Sequence, residues 1–361
     1  MLRHKLRHNK YFLIAVVALL FLTLFNSNLS LRPRKIPAGS SGGHLDSGYQ
    51  GSNPMRWGLE EIKAPSAWEV TRGSESVTVA VIDSGIDIRV AEIRENMWVN
   101  EDEVPGDLLD NDHNGYVDDI HGWDFRDNDS NSLEGSPVNF HGTFVAGLIA
   151  SVINDDSGMA GVAPEVNIMD LRFLDSGGTF YSTDWGKLAR AINYAVANGA
   201  DIVNLSFSAS LEPSSKVRTA LKHAVEKGVL VVGIAGNEGG EIGYFGSLEE
   251  VMTVGAVCRD LRPADFSNYG EYIEVSAPGV GVLSYLPSGK LARASGTSFA
   301  APHVSGVAAL IKSLEPGLAG REVREILKRT TRDIYQEGWD KKTGEGIVDA
   351  NLVVSEGSGL N

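Results

Sequence analysis

The chain has one cysteine, Cys258, among 361 residues, which excludes a disulfide framework and a metal site built from several thiolates. No H-E-x-x-H signature of a zinc protease occurs. Basic residues are also scarce, since 32 Lys and Arg stand against 47 Asp and Glu and give a formal net charge of −15. An acidic surface repels phosphate backbones, so we expect no nucleic-acid partner.

The composition is that of a large globular domain. Hydrophobic residues make up 42% of the chain and charged residues 22%, which excludes a disordered or fibrous protein. The 41 glycines lie among apolar segments and predict many tight turns between strands and helices.

The N-terminus has the pattern of an export signal. The first 35 residues carry seven basic side chains and no acid, and an apolar run of 15 residues follows Lys10. As a helix this run spans about 22 Å, less than the roughly 30 Å hydrocarbon core of a bilayer. The sequence predicts a signal peptide or membrane signal-anchor (1–35), a flexible tether (36–55), one folded domain (56–355) and a short tail (356–361). We expect the protein to be a monomer.

Within the folded domain, short β-branched apolar segments alternate with helical patterns. Candidate strands are 77–82, 166–171, 202–206, 229–234, 251–257 and 272–276, and candidate helices are 142–152, 186–198, 214–227, 298–313 and 321–328. This alternation predicts an α/β fold, a mainly parallel sheet with helices on both faces. In such sheets the active groups lie beyond the carboxyl ends of the strands.

Three segments place reactive side chains at such positions. Asp83 ends a buried strand, His141 begins a helix of small residues, and Ser298 stands where a loop becomes a helix rich in Ala and Gly. A carboxylate that orients an imidazole, an imidazole that accepts a proton and a hydroxyl that attacks are the parts of an activated nucleophile. Together the three segments therefore predict nucleophilic catalysis.

These segments resemble the subtilisin-like serine proteases, and among them the thermitase-like branch. The motifs read VIDSGID, HGTFVAG and GTSFAAPHVSG, and the resemblance covers about residues 55–352. It implies a three-layer α/β/α fold, a serine endopeptidase acting on polypeptides, and a triad of Asp83, His141 and Ser298. His303 and Phe144 lie in the same motifs, and we interpret His303 as structural.

The resemblance also implies an oxyanion donor and a substrate pocket. The segment IAGNEG places Asn237 where the family has its oxyanion-binding Asn. Pocket residues would be Ser206, Phe207, Ser208 and Gly236. Ser208 and Ala209 replace two glycines of the family's usual pattern, which predicts a narrowed pocket for small or medium apolar side chains.

Acidic residues cluster between positions 101 and 130, where eleven acids face one base, Arg126. Clustered carboxylates repel one another unless a cation gathers them, and an all-oxygen donor set suits Ca²⁺. Asp110, Asp112 and Asn114 form the opening of an EF-hand-like loop that lacks its final Glu, so the site would be weaker or would be completed by residues from elsewhere. A solvated acidic loop without an ion is the alternative.

Two further calcium loops follow from the resemblance. One contains Asp124, Asp127 and Asp129 and precedes the catalytic histidine. The other spans 152–159, where Val152 and Met159 would supply carbonyl oxygens and Asp155 a side chain. We therefore expect structural Ca²⁺.

Three other functions are compatible with parts of this sequence. A catalytically inactive relative could bind peptides, a surface protein could use the acidic loops to bind calcium alone, and the segment GVGVLS at 279–284 is a defective nucleotide-binding pattern that opens no helix. All four catalytic positions are filled, which favours an active enzyme. The N-terminal pattern favours export, with the protein either secreted or anchored with its catalytic domain outside. We expect contact with a membrane only through the N-terminal apolar segment.

Overall fold

A computed structural model describes residues 35–37, 56–132, 140–154, 159–209 and 211–357. These residues belong to one unit, Lys35–Asn361. The apolar run at 11–25, most of the predicted tether and Asp155 lie outside the described residues.

The strands are Lys35–Pro37 (β1), Thr78–Asp83 (β2), Gly122–Asp124 (β3), Asn167–Arg172 (β4), Thr179–Tyr181 (β5), Ile202–Leu205 (β6), Leu230–Ile234 (β7), Met252–Val257 (β8), Ile273–Pro278 (β9), Val282–Tyr285 (β10) and Leu291–Ala294 (β11). Seven of them form a sheet in the order β3-β4-β2-β6-β7-β8-β9, in which each neighbouring pair is parallel. Two small antiparallel pairs, β1-β5 and β10-β11, complete the strands of the described residues.

The helices are Trp57–Glu61 (α1), Ala64–Ala67 (α2), Ala91–Arg94 (α3), Phe140–Ala150 (α4), Trp185–Ala197 (α5), Ser215–Glu226 (α6), Thr297–Leu314 (α7), Gly320–Arg329 (α8) and Ala350–Gly357 (α9). They cover the sheet on both faces. Val79 and Val81 of β2 belong to the core that contains α4 and α7, whereas Ala80 and Ile82 belong to the core that contains α5 and α6. Because both faces of β2 are buried, its sequence is almost continuously apolar.

The parallel register brings several polar residues to the carboxyl edge of the sheet. Asp83 at the end of β2 is opposite Arg172 of β4, which is in turn opposite Asp124 of β3. The segments after β6 and β7, which contain Ser206 and Asn237, leave the sheet at the same edge. This edge is where an open parallel sheet places its ligands.

The predicted α/β/α fold with a mainly parallel sheet is confirmed. Each predicted strand and helix occurs, with ends that differ by at most about two residues, as is usual for element boundaries. β1 was not predicted. Lys35–Pro37 spans the end of the predicted leader and the start of the predicted tether, and it pairs with Thr179–Tyr181. No helix among the described residues is long and apolar enough to cross a membrane.

Candidate active site

Asp83 and His141 form a buried pair at the carboxyl edge of the sheet. His141 Nδ1 lies 2.9 Å from Asp83 Oδ1 and 3.0 Å from Asp83 Oδ2, and each residue is 1% exposed. Asp83 Oδ1 also accepts a hydrogen bond from the backbone of Ser84 at 2.7 Å. A carboxylate at Nδ1 leaves Nε2 as the nitrogen of the imidazole that can exchange a proton with a reacting group.

Two glycines allow the Asp83 loop and the His141 helix to approach one another. A Cβ on Gly142 would lie 2.4 Å from the carbonyl oxygen of Gly85, and Gly85 has a φ of +93°. The backbone N–H of Gly142 donates to Ser84 Oγ at 3.0 Å. The close backbone contact therefore requires a glycine directly after His141.

Ser298 is the second residue of α7 and is 2% exposed. Its backbone N–H belongs to the first turn of the helix, where N–H groups have no partner within the helix and the helix dipole favours negative charge. The ring of Phe299 lies 5.3 Å from the ring of His141, measured between centroids, so the nucleophile segment and the histidine are neighbours.

The side-chain amide of Asn237 is held beside this helix by Thr297. Asn237 Oδ1 accepts hydrogen bonds from the backbone N–H and the hydroxyl of Thr297, both at 2.8 Å. Asn237 Nδ2 lies 3.7 Å from the position that a Cβ would occupy on Gly296. With its oxygen anchored in this way, the amide presents Nδ2 as a donor next to the N-terminus of α7.

A series of hydrogen bonds between buried polar side chains ends at the backbone carbonyl of Ser298. Ser206 Oγ donates to Ser298 O, Asn204 Nδ2 donates to Ser206 Oγ, and Ser305 Oγ donates to Asn204 Oδ1, each at 2.9 Å. Sequence reasoning missed the roles of Thr297, Asn204 and Ser305. Their proximity to the predicted motifs was the only available signal, because the contacts join segments about 60 to 100 residues apart.

His303, the histidine of the segment GTSFAAPHVSG, is 1% exposed, and its Nδ1 lies 2.7 Å from Phe299 O. Burial lowers the pKa of His303 to about 4, so this ring is neutral near pH 7. Its Nε2 faces Gly58 of α1, at 2.8 Å from the position of a Cβ there. These contacts agree with the interpretation of His303 as a packing residue.

A cavity of about 650 Å³ is lined by residues that lie close to Ser206 and Asn237 in the sequence, among them Ser208 and Glu238. Of the four residues predicted to line the substrate pocket, Ser208 lines this cavity. Phe207 is 1% exposed, and its ring packs in the core against Phe180 and Phe245. Ser206 and Gly236 are also buried, Ser206 beneath Ser298 and Gly236 directly before Asn237.

Three carboxylates converge at the acidic loop after β2. Glu103, Asp112 and Asp119 offer oxygen atoms that lie within 4.8 Å of one another, and Glu103 and Asp119 are buried. The groups that bond to them are neutral: Asn100 Nδ2 donates to Asp112 and Asp119, and the hydroxyl of Tyr194 donates to Asp119 at 2.5 Å. Three anionic groups with neutral partners suit a hard divalent cation.

The other residues of the predicted EF-hand-like loop shape it. Asp110 accepts hydrogen bonds from the backbone of Asn114 and Gly115, and the side chain of Asn114 donates to Asp112 and Asp119. Sequence reasoning counted Glu103 and Asp119 among the acids but assigned neither as a ligand, since neither stands at an EF-hand position. The fold places an oxygen atom of each within 4.8 Å of an oxygen atom of Asp112.

The Asp124 loop has a different electrostatic arrangement. Arg172 is 4% exposed, and its Nη1 lies 2.5 Å from Asp124 Oδ2 and 2.9 Å from Asp127 Oδ2. Burial raises the pKa of Asp124, while hydrogen bonds from the backbone and the charge of Arg172 act in the opposite direction. Asp129 Oδ1 accepts from the backbone of Asn131. A guanidinium therefore already balances two of the three carboxylates in this loop.

The third predicted calcium loop is described only at its ends. Asn154 and Met159 pair across it, and the backbone N–H of Val152 donates to Glu92 O at 2.8 Å. The carboxylate of Glu92 also reaches the loop, because its Oε1 accepts from Asn154 Nδ2 at 2.8 Å. Sequence reasoning did not consider Glu92, which lies about sixty residues before the loop.

The chain is similar to known serine proteases over most of its length. Residues 74–346 match the Subtilase family. A thermophilic serine proteinase from Bacillus sp. (strain AK1) is 36% identical over 300 residues, which cover 83% of this chain and 66% of that protein. Thermitase from Thermoactinomyces vulgaris is 33% identical over 289 residues, covering 79% and 92% of the two chains. The major intracellular serine protease of Bacillus subtilis (strain 168) is 36% identical over 281 residues, covering 76% and 80%.

Proposed function

The chain belongs to the subtilase family and is a serine-type endopeptidase, and on that premise we propose that Asp83, His141 and Ser298 are its catalytic triad and Asn237 its oxyanion donor. The observation that carries this proposal is the buried contact of His141 Nδ1 with both oxygens of Asp83, at 2.9 and 3.0 Å, next to the N-terminus of the helix that bears Ser298.

The first half of the reaction forms an acyl-enzyme. Ser298 Oγ attacks the carbonyl carbon of the substrate while its proton passes to His141 Nε2, and Asp83 stabilises the resulting imidazolium. The negative charge that develops on the carbonyl oxygen is stabilised by Asn237 Nδ2 and the backbone N–H of Ser298. The C–N bond then breaks as His141 returns the proton to the departing amine.

The second half releases the acyl group. A water molecule gives one proton to His141 and attacks the ester carbon, and the same proton returns to Ser298 Oγ when the C–O bond breaks. Both halves need a neutral imidazole at His141 to accept the proton.

Peptide hydrolysis by purified residues 36–361 tests this assignment. Ser298→Ala should abolish turnover, and Asn237→Ala should lower kcat by about 10²–10³ with little change in KM, because this donor acts in the transition state. Far-UV circular dichroism would establish that both variants fold. Full activity of folded Ser298→Ala would contradict the proposed nucleophile.

We propose that Glu103, Asp112 and Asp119 hold a structural Ca²⁺. The donors are all oxygen atoms, two of the three residues are buried, and their described hydrogen-bond partners are neutral. When bound, the ion would offset the mutual repulsion of the carboxylates and tie the acidic loop to α5 through Tyr194. The loops at Asp124 and 152–159 stay candidates, and the Arg172 contacts make the Asp124 loop the weaker one.

Thermal unfolding of the inactive Ser298→Ala protein with calcium or with a chelator tests this site. Saturation at about a thousand times the Kd would stabilise the protein by about 4 kcal/mol. Glu103→Gln with Asp119→Asn should remove most of the calcium-dependent gain, whereas Glu101→Gln, an exposed acid in the same loop, should retain it. An unchanged calcium effect in the double variant would assign the ion to another loop.

We also propose that residues 1–35 direct export, since a basic stretch precedes an apolar run there. Cell fractionation of the full chain and of a chain without residues 1–35 tests this, and equal distribution of the two would contradict it. Polypeptides are the substrates of the proposed reaction, and size-exclusion chromatography would test the expected monomer.

A further inference from the structure

The acidic loop has an exposed apolar tip, which consists of Val104, Leu108 and Leu109. Five of the twelve exposed large hydrophobic side chains of the described residues lie between positions 99 and 117, and the exposed fractions of these three are 54%, 78% and 60%. Asp102 and Asp107 are exposed beside them. No salt bridge of the described residues involves an acid between positions 101 and 119. The tip is therefore an apolar surface among negative charges.

Hydrogen bonds hold this tip in one conformation. The carboxylate of Asp118 accepts from the backbone N–H groups of Gly106 and Leu108, at 2.8 and 3.0 Å. Leu108 has a φ of +62°, a left-handed conformation that leucine rarely adopts. Asp107 Oδ1 accepts from the backbone N–H of Leu109 at 2.9 Å. Because the tip is fixed while it is exposed, a partner would bind it without the entropic cost of ordering the loop.

A groove between α5 and α6 has the opposite charge. It has a volume of about 670 Å³, and its charged lining residues are Lys187, Arg190 and Lys216, whereas acids outnumber bases by 47 to 32 in the whole chain. Lys187 Nζ donates to Arg126 O at 2.8 Å and lies 3.8 Å from Asp184. Arg190 and Lys216 are exposed and have no salt bridge within the described part of the chain. The groove therefore presents two cations without anionic partners.

The remaining lining of this groove is small or uncharged. Gly186, Ala189 and Ala220 leave space between the two helices. The aliphatic stems of the lysines and the arginine add apolar surface to these residues. Hydroxyl groups come from Thr183, Ser215 and Thr219. The groove can therefore receive apolar side chains together with carboxylates.

We propose that the apolar tip of one copy binds the groove of a second copy of this chain. Leu108 and Leu109 would enter the space between the helices, and the acids beside the tip would pair with Arg190 and Lys216. In a single copy the tip and the groove are both exposed, so the contact joins two copies. This inference goes beyond the proposed function and does not depend on the triad. The expected monomer is then the dissociated form.

The net negative charge of two copies does not prevent this contact at physiological ionic strength. The Debye length is about 8 Å at about 0.15 M salt, so charges farther apart are largely screened while ion pairs at the contact persist. A tip of three side chains makes a small contact of the weak, transient class. We expect a Kd of about 10–100 µM.

Sedimentation velocity of residues 35–361 measures this association. The protein carries Ser298→Ala and is studied at about 0.15 M salt and a fixed calcium concentration, from about 1 µM to about 1 mM protein. Leu108→Asn combined with Leu109→Ser, the tip variant, should raise the Kd about tenfold or more. Asparagine tolerates the left-handed conformation, so the loop should keep its shape. Val70→Ser removes an exposed apolar side chain elsewhere and should leave the Kd unchanged.

Charge reversal tests the other surface. Arg190→Glu combined with Lys216→Glu, the groove variant, should raise the Kd by about as much as the tip variant does. Arg94→Glu combined with Lys290→Glu reverses two exposed cations that do not line the groove, and it should leave the Kd unchanged. An unchanged Kd in both the tip variant and the groove variant would overturn the proposal.

Mixing the tip variant with the groove variant tests both surfaces at once. Each retains one intact surface, so each should be monomeric alone, and the mixture should form a 1:1 complex with a Kd near that of the unsubstituted surfaces. Complex formation would also show that both variants fold. Absence of a complex between two variants with native circular dichroism would overturn the proposal. So would a protein that stays monomeric up to about 1 mM, and binding of its tip to phosphatidylcholine vesicles would then assign the tip to a lipid surface.

Discussion

Asp170 offers the clearest link between pH and stability in this fold. Its side chain is buried in β4, and Oδ2 accepts hydrogen bonds from Ile86 N at 3.1 Å and Ser132 Oγ at 2.5 Å, whereas Oδ1 has no hydrogen-bond partner among the described residues. Burial raises the pKa of Asp170 from 3.8 to about 7, against the effect of those hydrogen bonds.

Because the folded state holds this proton more tightly than the unfolded state, stability falls as the pH rises from about 4 to about 7. A pKa difference of about 3 units corresponds to about 4 kcal/mol at the alkaline end. Asp170→Asn keeps an oxygen for both hydrogen bonds and cannot ionise, so it should stabilise the protein. The gain should be larger at about pH 8.5 than at about pH 5 by roughly 3 kcal/mol.

Calorimetry of proteins carrying Ser298→Ala, which prevents self-digestion, measures this gain at fixed calcium concentration. Asp265→Asn is the matched control, since it removes the same charge at an exposed position. An equal gain at both pH values would refute the titration of Asp170 as the cause. A loss of stability at about pH 8.5 would mean that the ionised carboxylate makes a favourable contact.

Three further substitutions test contacts in and around the site. Arg172→Gln leaves the buried Asp124 without its ion pair and should lower the free energy of unfolding, measured by urea titration, by about 3–5 kcal/mol. An unchanged free energy of unfolding would contradict the balancing role of the guanidinium. Thr297→Val removes one anchor of Asn237 and should lower kcat about fivefold with little effect on KM, whereas a change in KM alone would point to substrate binding. Gly142→Ala places a methyl group 2.4 Å from a backbone oxygen and should destabilise the fold by about 1–3 kcal/mol, with an unchanged Tm as the contrary result.

The sequence predicts the main strands well because both faces of the sheet are covered. Strands such as β2, with every residue buried, are almost continuously apolar and stand out from their surroundings. β3 has three residues, and β10 and β11 mix polar with apolar positions, so neither period nor propensity distinguishes them from loops. The spatial order of the strands depends on crossovers that local patterns do not encode.

The residues of the candidate site were also predictable only in part. Asp83, His141, Ser298 and Asn237 stand in recognisable motifs, so a single sequence suffices to propose them. Contacts between distant segments are not visible in the sequence. Arg172 directly follows the predicted strand 166–171, and only the register of β3 and β4 places it opposite Asp124.

The acidic loop and the cavity show the same limit. Local spacing predicts Asp112 as a ligand, but Glu103 joins it through the folding of the loop. Ser208 and Ala209 predict a narrowed pocket, and the cavity that both residues line is also bounded by the segment 241–247, more than thirty residues further along the chain. Chemistry that depends on one segment can be predicted, and chemistry assembled from several segments needs the fold.

The most direct test of the proposed mechanism is labelling of purified residues 36–361 with a fluorophosphonate, followed by mass spectrometry of the labelled peptide. We expect one label, on Ser298, that is lost in Ser298→Ala and is weakened when a chelator removes calcium. A label that persists in folded Ser298→Ala, or no label on folded protein with calcium present, would contradict Ser298 as the activated nucleophile.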